Sequence, residues 1–468
     1  MLMMVEKGFW KGTEMKVFNI CDYGAIYSDK LQTKAIQTAI DECFLAGGGR
    51  VLVPCGVYLT GGIRLRSNVE LYLESGAILK GSRDPEDYMG FQSDELEPIE
   101  MEEVVVGDPK RGRSSLSTTR WSNGLIRAFD AENIAVIGEK GSYIDGNNTF
   151  DPEGEENYRG PHGMSIWRCR NIRLEGYTFL HSANWCHAIF QSQNITVRNL
   201  VVCGGHDGVD FRTCDNILVE NCEFQTGDDC LAGYDNNNVV MRNCTINSAC
   251  NAIRFGGHNV LIENCHSIER PLRFSFRDGL TPEEKKLGEL TNDAERSRHD
   301  TLTTFSYYCD HRADPREECD VTIKNCNWSQ AREFIRLEFD GFHRWCCNRS
   351  LKKLTLENVS VGEVVRAGKV WGDANEKVIC HFKNVTVKAA EGFGHEPLLV
   401  VGNFEKIIFE NCTIEGYDEP TLLVGTDDPV EVINSTPIKV KRATLEECIE
   451  AHPWGIPKED REKKRIFK

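Results

Sequence analysis

NILVENCEF from Asn216, NVVMRNCTI from Asn238 and NVLIENCHSI from Asn259 are three copies of one short pattern, and they decide the fold. Looser copies precede them at NIRLEG (Asn171) and NITVRNL (Asn194), so the five starts lie 23, 22, 22 and 21 residues apart. Each copy alternates apolar and polar residues over four to six positions, the period of a strand with one buried face. Gly, Asn, Asp and Ser fill the gaps, and no helix-length segment separates the central copies. A period near 22 with several short strands per period is one coil of a parallel β-helix.

The pattern extends outward in both directions. Earlier versions are NVELYLESGAIL from Asn68 and NIAVIGEKGSYI from Asn133. Later ones are DVTIKNCNW from Asp320, KKLTLENVSV from Lys352, VICHFKNVTV from Val378 and KIIFENCTI from Lys406. Stacking places equivalent residues about 4.8 Å apart on successive coils. Asn199, Asn221, Asn243 and Asn264 then form one column, with Asn325 and Asn411 joining it. Asparagine suits a left-handed bend, and its amide can bond to the coils above and below. Cys222, Cys244, Cys265, Cys326 and Cys412 follow directly and read as a column of small buried side chains. The absence of a CxxC pair argues against zinc.

A solenoid must cover its ends. Ala35, Ile36, Ala39, Ile40, Cys43 and Phe44 fall at helical spacing within 33–46, and Gly47-Gly48-Gly49 stops that capping helix. The expected organisation is all-β: an N-terminal extension over 1–16, a single-stranded right-handed parallel β-helix over 17–442, and a tail over 443–468. Two charged stretches, about 83–120 and 277–319, interrupt the repeat. The second includes Phe305, Tyr307, Tyr308 and His311 and is a candidate groove wall.

Composition narrows the function. The net charge of −17 argues against nucleic acid as a partner. No apolar run approaches the roughly 18 residues of a membrane span, and the N-terminus lacks the pattern of a secretory signal. The expectation is a cytoplasmic protein with reduced thiols, despite 20 cysteines. A homo-oligomer is left open.

The densest polar cluster lies on three consecutive coils: GGHDGVD at 204–210, TGDDC at 226–230 and SACNAIRFGG at 248–257. Asp207 to Asp228 is 21 residues, about one coil, so the repeat is expected to stack them as neighbours on one face, with Asp229 beside them. Three close acids raise one another's pKa, so one can hold a proton while another stays ionised. Cleavage of a glycosidic bond needs that division between acid and base. Asp-Gly is also a common turn pair, and stacked aspartates can bind calcium. No DxDxDG loop is present, and the expectation is no metal and no organic cofactor.

These segments resemble the polygalacturonase-like glycoside hydrolases of family 28, a pectin lyase-like solenoid family. The opening VFNICDYGAIYSDKLQTKAIQTAIDEC and GGGRVLVPCGVYLTGGIRLRSNVELYLESGAILKGS is similar to the family's N-terminal signature. The family's Asn-Thr-Asp-Gly-x-Asp aligns with Gly205-His206-Asp207-Gly208-Val209-Asp210, and its Asp-Asp-Cys with Asp228-Asp229-Cys230. The resemblance implies an inverting hydrolase. It makes Asp228 the general acid, with Asp207 and Asp229 positioning and deprotonating water. Acids on adjacent coils, about 5 Å apart, would by the general carboxylate rule read as retaining. The resemblance is followed instead.

The departures bear on the substrate. The family's His-Gly aligns with Asn251-Ala252, leaving His206 or His258 to substitute for the histidine. Its Arg-x-Lys, which grips a uronate carboxylate, aligns with Arg336-Leu337-Glu338, so one cation has become an acid. Arg254 is a candidate replacement charge, and His187 a candidate cleft residue beside Trp185, which reads as core. The expected substrate is a pectin-derived oligosaccharide of galacturonan or rhamnogalacturonan type, attacked from a chain end. The rivals are a β-helix lyase or epimerase, a non-catalytic carbohydrate-binding solenoid, and a glycosidase for a neutral sugar, which Glu338 would favour.

Overall fold

The computed structural model describes residues 15–88, 123–268, 271–290, 297–309, 318–338 and 350–452. The chain forms two compact units, Met1–Val201 with Leu280–Leu290, and Val202–Gly279 with Thr291–Lys468. Each unit is built from coils of a right-handed parallel β-helix.

In the first unit, strands Gly49–Val53, Val69–Leu73, Glu132–Gly138, Arg170–Glu175 and Gln193–Arg198 stack in parallel. Their register sets Val51, Leu71, Val136, Leu174 and Val197 in one buried column. The second unit repeats the device. Val219, Met241, Ile262, Ile323, Leu356, Phe382 and Phe409 pair coil to coil and are buried. Each such side chain contributes about 2 kcal/mol by leaving water. Alternate residues face outward, so the inward periodicity fixes which side chains remain for function.

Helix α1 (Thr33–Leu45) buries Ile36, Ala39, Ile40 and Cys43. Phe44, expected on that face, is instead exposed, with the Arg66 guanidinium 5.9 Å from its ring. The three glycines after α1 all have positive φ, and a Cβ on Gly49 would lie 2.6 Å from the Lys16 carbonyl. None of the described helices is long and apolar enough to cross a membrane.

The asparagine columns are present. Asn199, Asn221, Asn243, Asn264, Asn325 and Asn411 all have φ between +52° and +56°. Asn358 and Asn384, not anticipated, occupy the same bend and extend an amide ladder from Asn325 at 2.9 Å per step. A second ladder runs through the first asparagine of each copy. Asn133 donates to Asn68, Asn171 to Asn133 and Asn194 to Asn171 at 2.8, 2.9 and 3.0 Å. The five column cysteines are buried free thiols.

The stretch 277–319 is not one insertion. It contains helix α2 (Pro282–Leu287), which belongs to the first unit, and a regular coil strand, Thr303–Tyr307, in the second. That strand pairs with Asn251–Phe255, with Phe305 opposite Ile253, and both are buried. Charged flanks and the missing leading asparagine hid it. Of the first stretch, Pro85–Tyr88 forms a short 3-10 turn, and 89–120 lies outside the described residues. The tail begins with helix α3 (Leu445–Ala451), which Thr444 and Glu447 cap reciprocally.

Asn171 holds φ +56° and bonds to asparagines on both sides. Replacing it with alanine should cost about 1–3 kcal/mol in denaturant unfolding, from both the lost bonds and the left-handed backbone. Glycine, which tolerates that backbone, should cost less. Equal losses for the two variants would assign the whole effect to the ladder.

Candidate active site

Three successive coils enter a strand through a polar turn. Gly205-His206-Asp207-Gly208 leads into Val209–Arg212, Gly227-Asp228-Asp229-Cys230 into Leu231–Arg242, and Ala249-Cys250 into Asn251–Glu263. Val209 pairs with Leu231 and Leu231 with Ile253. The residues two places earlier therefore share a column: Asp207, Asp229, Asn251. Hydrogen bonds run down it. The Asp229 backbone N–H donates to Asp207 Oδ1 at 3.2 Å, and the Asn251 N–H to Asp229 Oδ1 at 3.1 Å. Asp207 is thus stacked on Asp229, 22 residues on. Asp228 occupies the place that His206 and Cys250 hold on the neighbouring coils.

The three acids have different surroundings. Asp207 and Asp229 are 0% exposed, whereas Asp228 is 7% exposed. Asp229 is saturated. The Asn251 side-chain amide donates to Oδ1 at 2.7 Å and the Arg254 Nε to Oδ2 at 2.5 Å. The Asp207 Oδ2 atom is buried with no hydrogen-bond partner among the described residues. Thr226 and Ser248 hydroxyls each donate to the Asp228 carbonyl at 2.6 Å, which fixes that turn.

Electrostatics follow from this placement. Burial, with the charges of Asp228 and Asp229, lifts Asp207 well above the usual carboxylate range. Burial also raises Asp229, to about 6, against the pull of Arg254 and the Asn251 bond. Arg254 is the counter-charge of the cluster. It leaves the strand on the outward face and lies over the Tyr308 ring at 4.5 Å. Tyr308 meets Tyr234 edge-on at 5.2 Å, and Arg212, paired with Asp210 at 3.0 Å, lies 5.2 Å from the Tyr234 ring. This cation–aromatic row was not anticipated as a unit. The outward period-2 positions of strands 209–212 and 231–234 carry its signal.

Residues 275–278 lie against these turns, as a groove wall would. A Cβ on Gly227 would stand 1.9 Å from the Ser275 carbonyl, and one on Gly205 3.2 Å from Asp278 and Phe276. Gly227 is required for that close approach, and Gly205 leaves a Cβ only a tight fit. His206 is buried at the same place, with its ring 6.2 Å from that of Phe276.

The other expected residues divide. Asn251 and Arg254 join the acids directly. Arg336 stands in the same outward column as Arg254, through Ser306. Its guanidinium is bound to Glu333 at 2.9 and 2.6 Å. Burial pushes Glu333 upward, but Arg336, His452 and Arg366 outweigh it and hold it well below the usual range. The backbone of Glu338 pairs with Trp371. His187 is not a cleft residue: it is fully buried in the first unit, bonded to the Tyr177 hydroxyl at 2.9 Å and edge-on to Phe179. Its ring faces the core because its strand position is an inward one, opposite Met164. His258 is a half-exposed surface partner of Asp320 at 3.0 Å.

Asp228, Asp229 and Cys250 bring one potential metal-ligand atom each within 4.8 Å of one another. Both Asp229 oxygens are already engaged, so a cation there would have to displace Arg254 or Asn251.

Residues 104–258 match the family model described as glycosyl hydrolases family 28. A probable polygalacturonase of Vitis vinifera is 26% identical over 234 residues, which is 46% of this chain and 44% of that one. An exo-poly-alpha-D-galacturonosidase of Dickeya chrysanthemi is 29% identical over 253 residues, 46% of this chain and 41% of that one. The chain spans less than half the length of those two relatives. Its fold is shared with the family 28 exopolygalacturonase of Yersinia enterocolitica, at a TM-score of 0.58 and 19% identity, over 92% of this chain and 78% of that one. The matched family segment contains all three aspartates.

A buried acid with a raised pKa favours the folded state fully below its unfolded pKa, near 4, and that contribution is lost as pH rises through the folded pKa. Asp207→Asn removes the buried charge while keeping an acceptor for the Asp229 N–H. It should raise the melting temperature at pH 7–8 and leave it nearly unchanged at pH 4. A drop at pH 7–8 would contradict the assigned burial of charge.

Proposed function

We propose that this chain is an inverting, exo-acting glycoside hydrolase for pectin-derived oligosaccharides of galacturonan or rhamnogalacturonan type. The observation that carries the reading is the acid column itself: an oxygen on Asp207 with no partner among the described residues, a saturated Asp229 beneath it, and Asp228 beside them with the greater exposure. The polygalacturonase names of the relatives support the substrate class.

In the proposed step, Asp228 gives its proton to the glycosidic oxygen as the bond from the anomeric carbon breaks. Water attacks the opposite face of that carbon and gives a proton to the open oxygen of Asp207, which is ionised in this step because the proton of the acid set sits on Asp228, whose charge then no longer raises Asp207. Product carries the inverted anomer, and one proton has moved from Asp228 to Asp207 through the reaction. Asp229, gripped by Asn251 and Arg254, orients the water and supports the charge that Asp207 develops. A cytoplasmic setting suits imported oligosaccharides better than insoluble wall, and the buried thiols of the cysteine column support a reducing compartment.

One observation favours a neutral-sugar reading as the second choice. Arg254 is bound to Asp229 and Arg336 to Glu333, so the two candidate carboxylate-gripping cations already meet protein acids. A screen of defined oligosaccharides, with product anomers followed by NMR, separates the readings. Inverted product from a uronate-containing oligomer, lost about 10²–10⁴-fold in Asp228→Asn, is the expected result. Turnover of neutral galactosides alone would select the second reading, and an unsaturated product would identify a lyase.

A further inference from the structure

Two outward columns of the second unit decide how Arg254 is held. Strand pairing sets Asp210, Ala232, Arg254 and Ser306 in one of them. Two residues further along each strand stand Arg212, Tyr234, Gly256 and Tyr308. Phe211, Phe255 and Tyr307 alternate with these positions and fill the core. Gly256 leaves a gap in the second column. A Cβ there would lie 2.0 Å from the Tyr308 carbonyl oxygen and 3.1 Å from the Tyr307 ring. Across that gap Tyr234 and Tyr308, two coils and about 10 Å apart in the backbone, meet edge-on at 5.2 Å. Tyr308 is fully buried and Tyr234 nearly so, so the contact fixes the Tyr308 ring in place. Arg212, anchored by Asp210 at 3.0 Å, lies 5.2 Å from the Tyr234 ring and extends the same stack.

In the first column, Arg254 has small neighbours on both sides, Ala232 and Ser306, and its guanidinium can lie along the face. Its Nε meets Asp229 Oδ2 at 2.5 Å on the preceding coil, and the Tyr308 ring of the following coil stands 4.5 Å from its charge. An arginine side chain has many rotamers, and one bond to a carboxylate does not choose among them. The fixed ring does, because attraction between a cation and a ring face is strongest where water is excluded. The charged and titratable groups facing Arg254 are Asp229, Asp207 and Asp228 on the preceding coils and Tyr308 on the following one. Arg254 opposes the burial that drives Asp229 and Asp207 toward their protonated forms.

We propose that Tyr308 is a positioning residue of the acid set: its ring, fixed by Tyr234 across Gly256, holds the Arg254 guanidinium on Asp229, so that Asp229 stays ionised while Asp228 carries the proton. The consequence for turnover rests on the hydrolase reading, but the hold on Asp229 is a property of the uncomplexed protein. Tyr308 acts through Arg254 alone. Without the ring, Arg254 samples other rotamers, its time-averaged pull on the acids weakens, and Asp229 keeps its proton to higher pH. The fraction of molecules with Asp229 ionised and Asp228 protonated then falls on the acid side of the profile.

The test compares full-length wild type, Tyr308→Leu and Tyr308→Phe by carbon-13 NMR titration of the Asp229 carboxyl, and by the pH dependence of kcat/KM on galacturonate and rhamnogalacturonan oligomers. Tyr308→Leu should move the Asp229 midpoint upward by about 0.5–1 pH unit, a ~3–10-fold tighter hold on its proton. The acid limb of kcat/KM should move the same way. Tyr308→Phe, which keeps the ring face, should bring both back to the wild-type position. Near-ultraviolet circular dichroism checks the fold, and Tyr308→Met, with the same expectations, replaces the leucine variant if that one is misfolded. An unmoved Asp229 midpoint in the variant without the ring overturns the assignment, even where activity falls equally at every pH, the mark of a merely structural role. An equal shift in Tyr308→Phe also overturns it, because the hydroxyl and not the ring would then be responsible. A shifted midpoint in a protein that turns over no oligomer removes the hydrolase reading and keeps the positioning. Turnover with an unmoved midpoint keeps the hydrolase and removes the positioning.

Discussion

The parallel register of Val209, Leu231 and Ile253 is the constraint on which the site depends. Those three residues are buried, and a one-residue slip on any coil would turn its inward side chains to solvent. The apolar core therefore fixes the height and phase of every coil. Polar residues two places upstream inherit that phase. Asp207, Asp229 and Asn251 become a column joined by backbone N–H donors without any contact evolved solely to align them. Hydrophobic burial, which is non-directional, thus becomes angular precision at a reactive centre through strand pairing.

Crowding acids carries a free-energy cost, and the structure shows where it is offset. Three carboxylates share two coils, and the Arg254 guanidinium is bonded directly to Asp229. Its own charge is steadied by the Tyr308 ring. Asp229 is thereby saturated, Asp207 is left with an oxygen that has no partner among the described residues, and Asp228 is the least buried of the three. The chemical division of labour arises from unequal surroundings of identical side chains. A different arrangement stands at Glu333, where the Arg336 and Arg366 guanidiniums and the His452 ring meet one buried acid.

Much of this was legible in the residue order. The 22-residue period, the Asn and Cys columns, the capping helix and the three aspartates all follow from side-chain period and turn chemistry. What escaped has physical reasons. The strand Thr303–Tyr307 lacks the leading asparagine and sits between charged stretches, so its alternation was masked. The pairing of Asp207 with Asp229 rather than Asp228 depends on register to one residue, finer than a repeat length can give. His187 looked like a cleft residue because polar residues in a solenoid usually face outward, yet Tyr177 satisfies it inside. The engagement of Arg336 by Glu333 joins residues three apart, but their pairing depends on how the bend between them is shaped. The packing of α3 on Ala367, Trp371, Val400 and Leu423 joins residues far apart in the chain, which no local pattern encodes.

The central claim is that stacking converts three separate aspartates into one coupled acid set. Carbon-13 NMR titration of the aspartate carboxyls in the uncomplexed protein, assigned by single Asp→Asn variants, measures it directly. The account predicts that Asp229 titrates near 6 and Asp207 well above the ordinary carboxylate range, with each midpoint moving downward when a neighbouring aspartate is replaced by asparagine. Independent titration of Asp207 and Asp229 near the ordinary value of about 4, unmoved by replacing their neighbours, would contradict it.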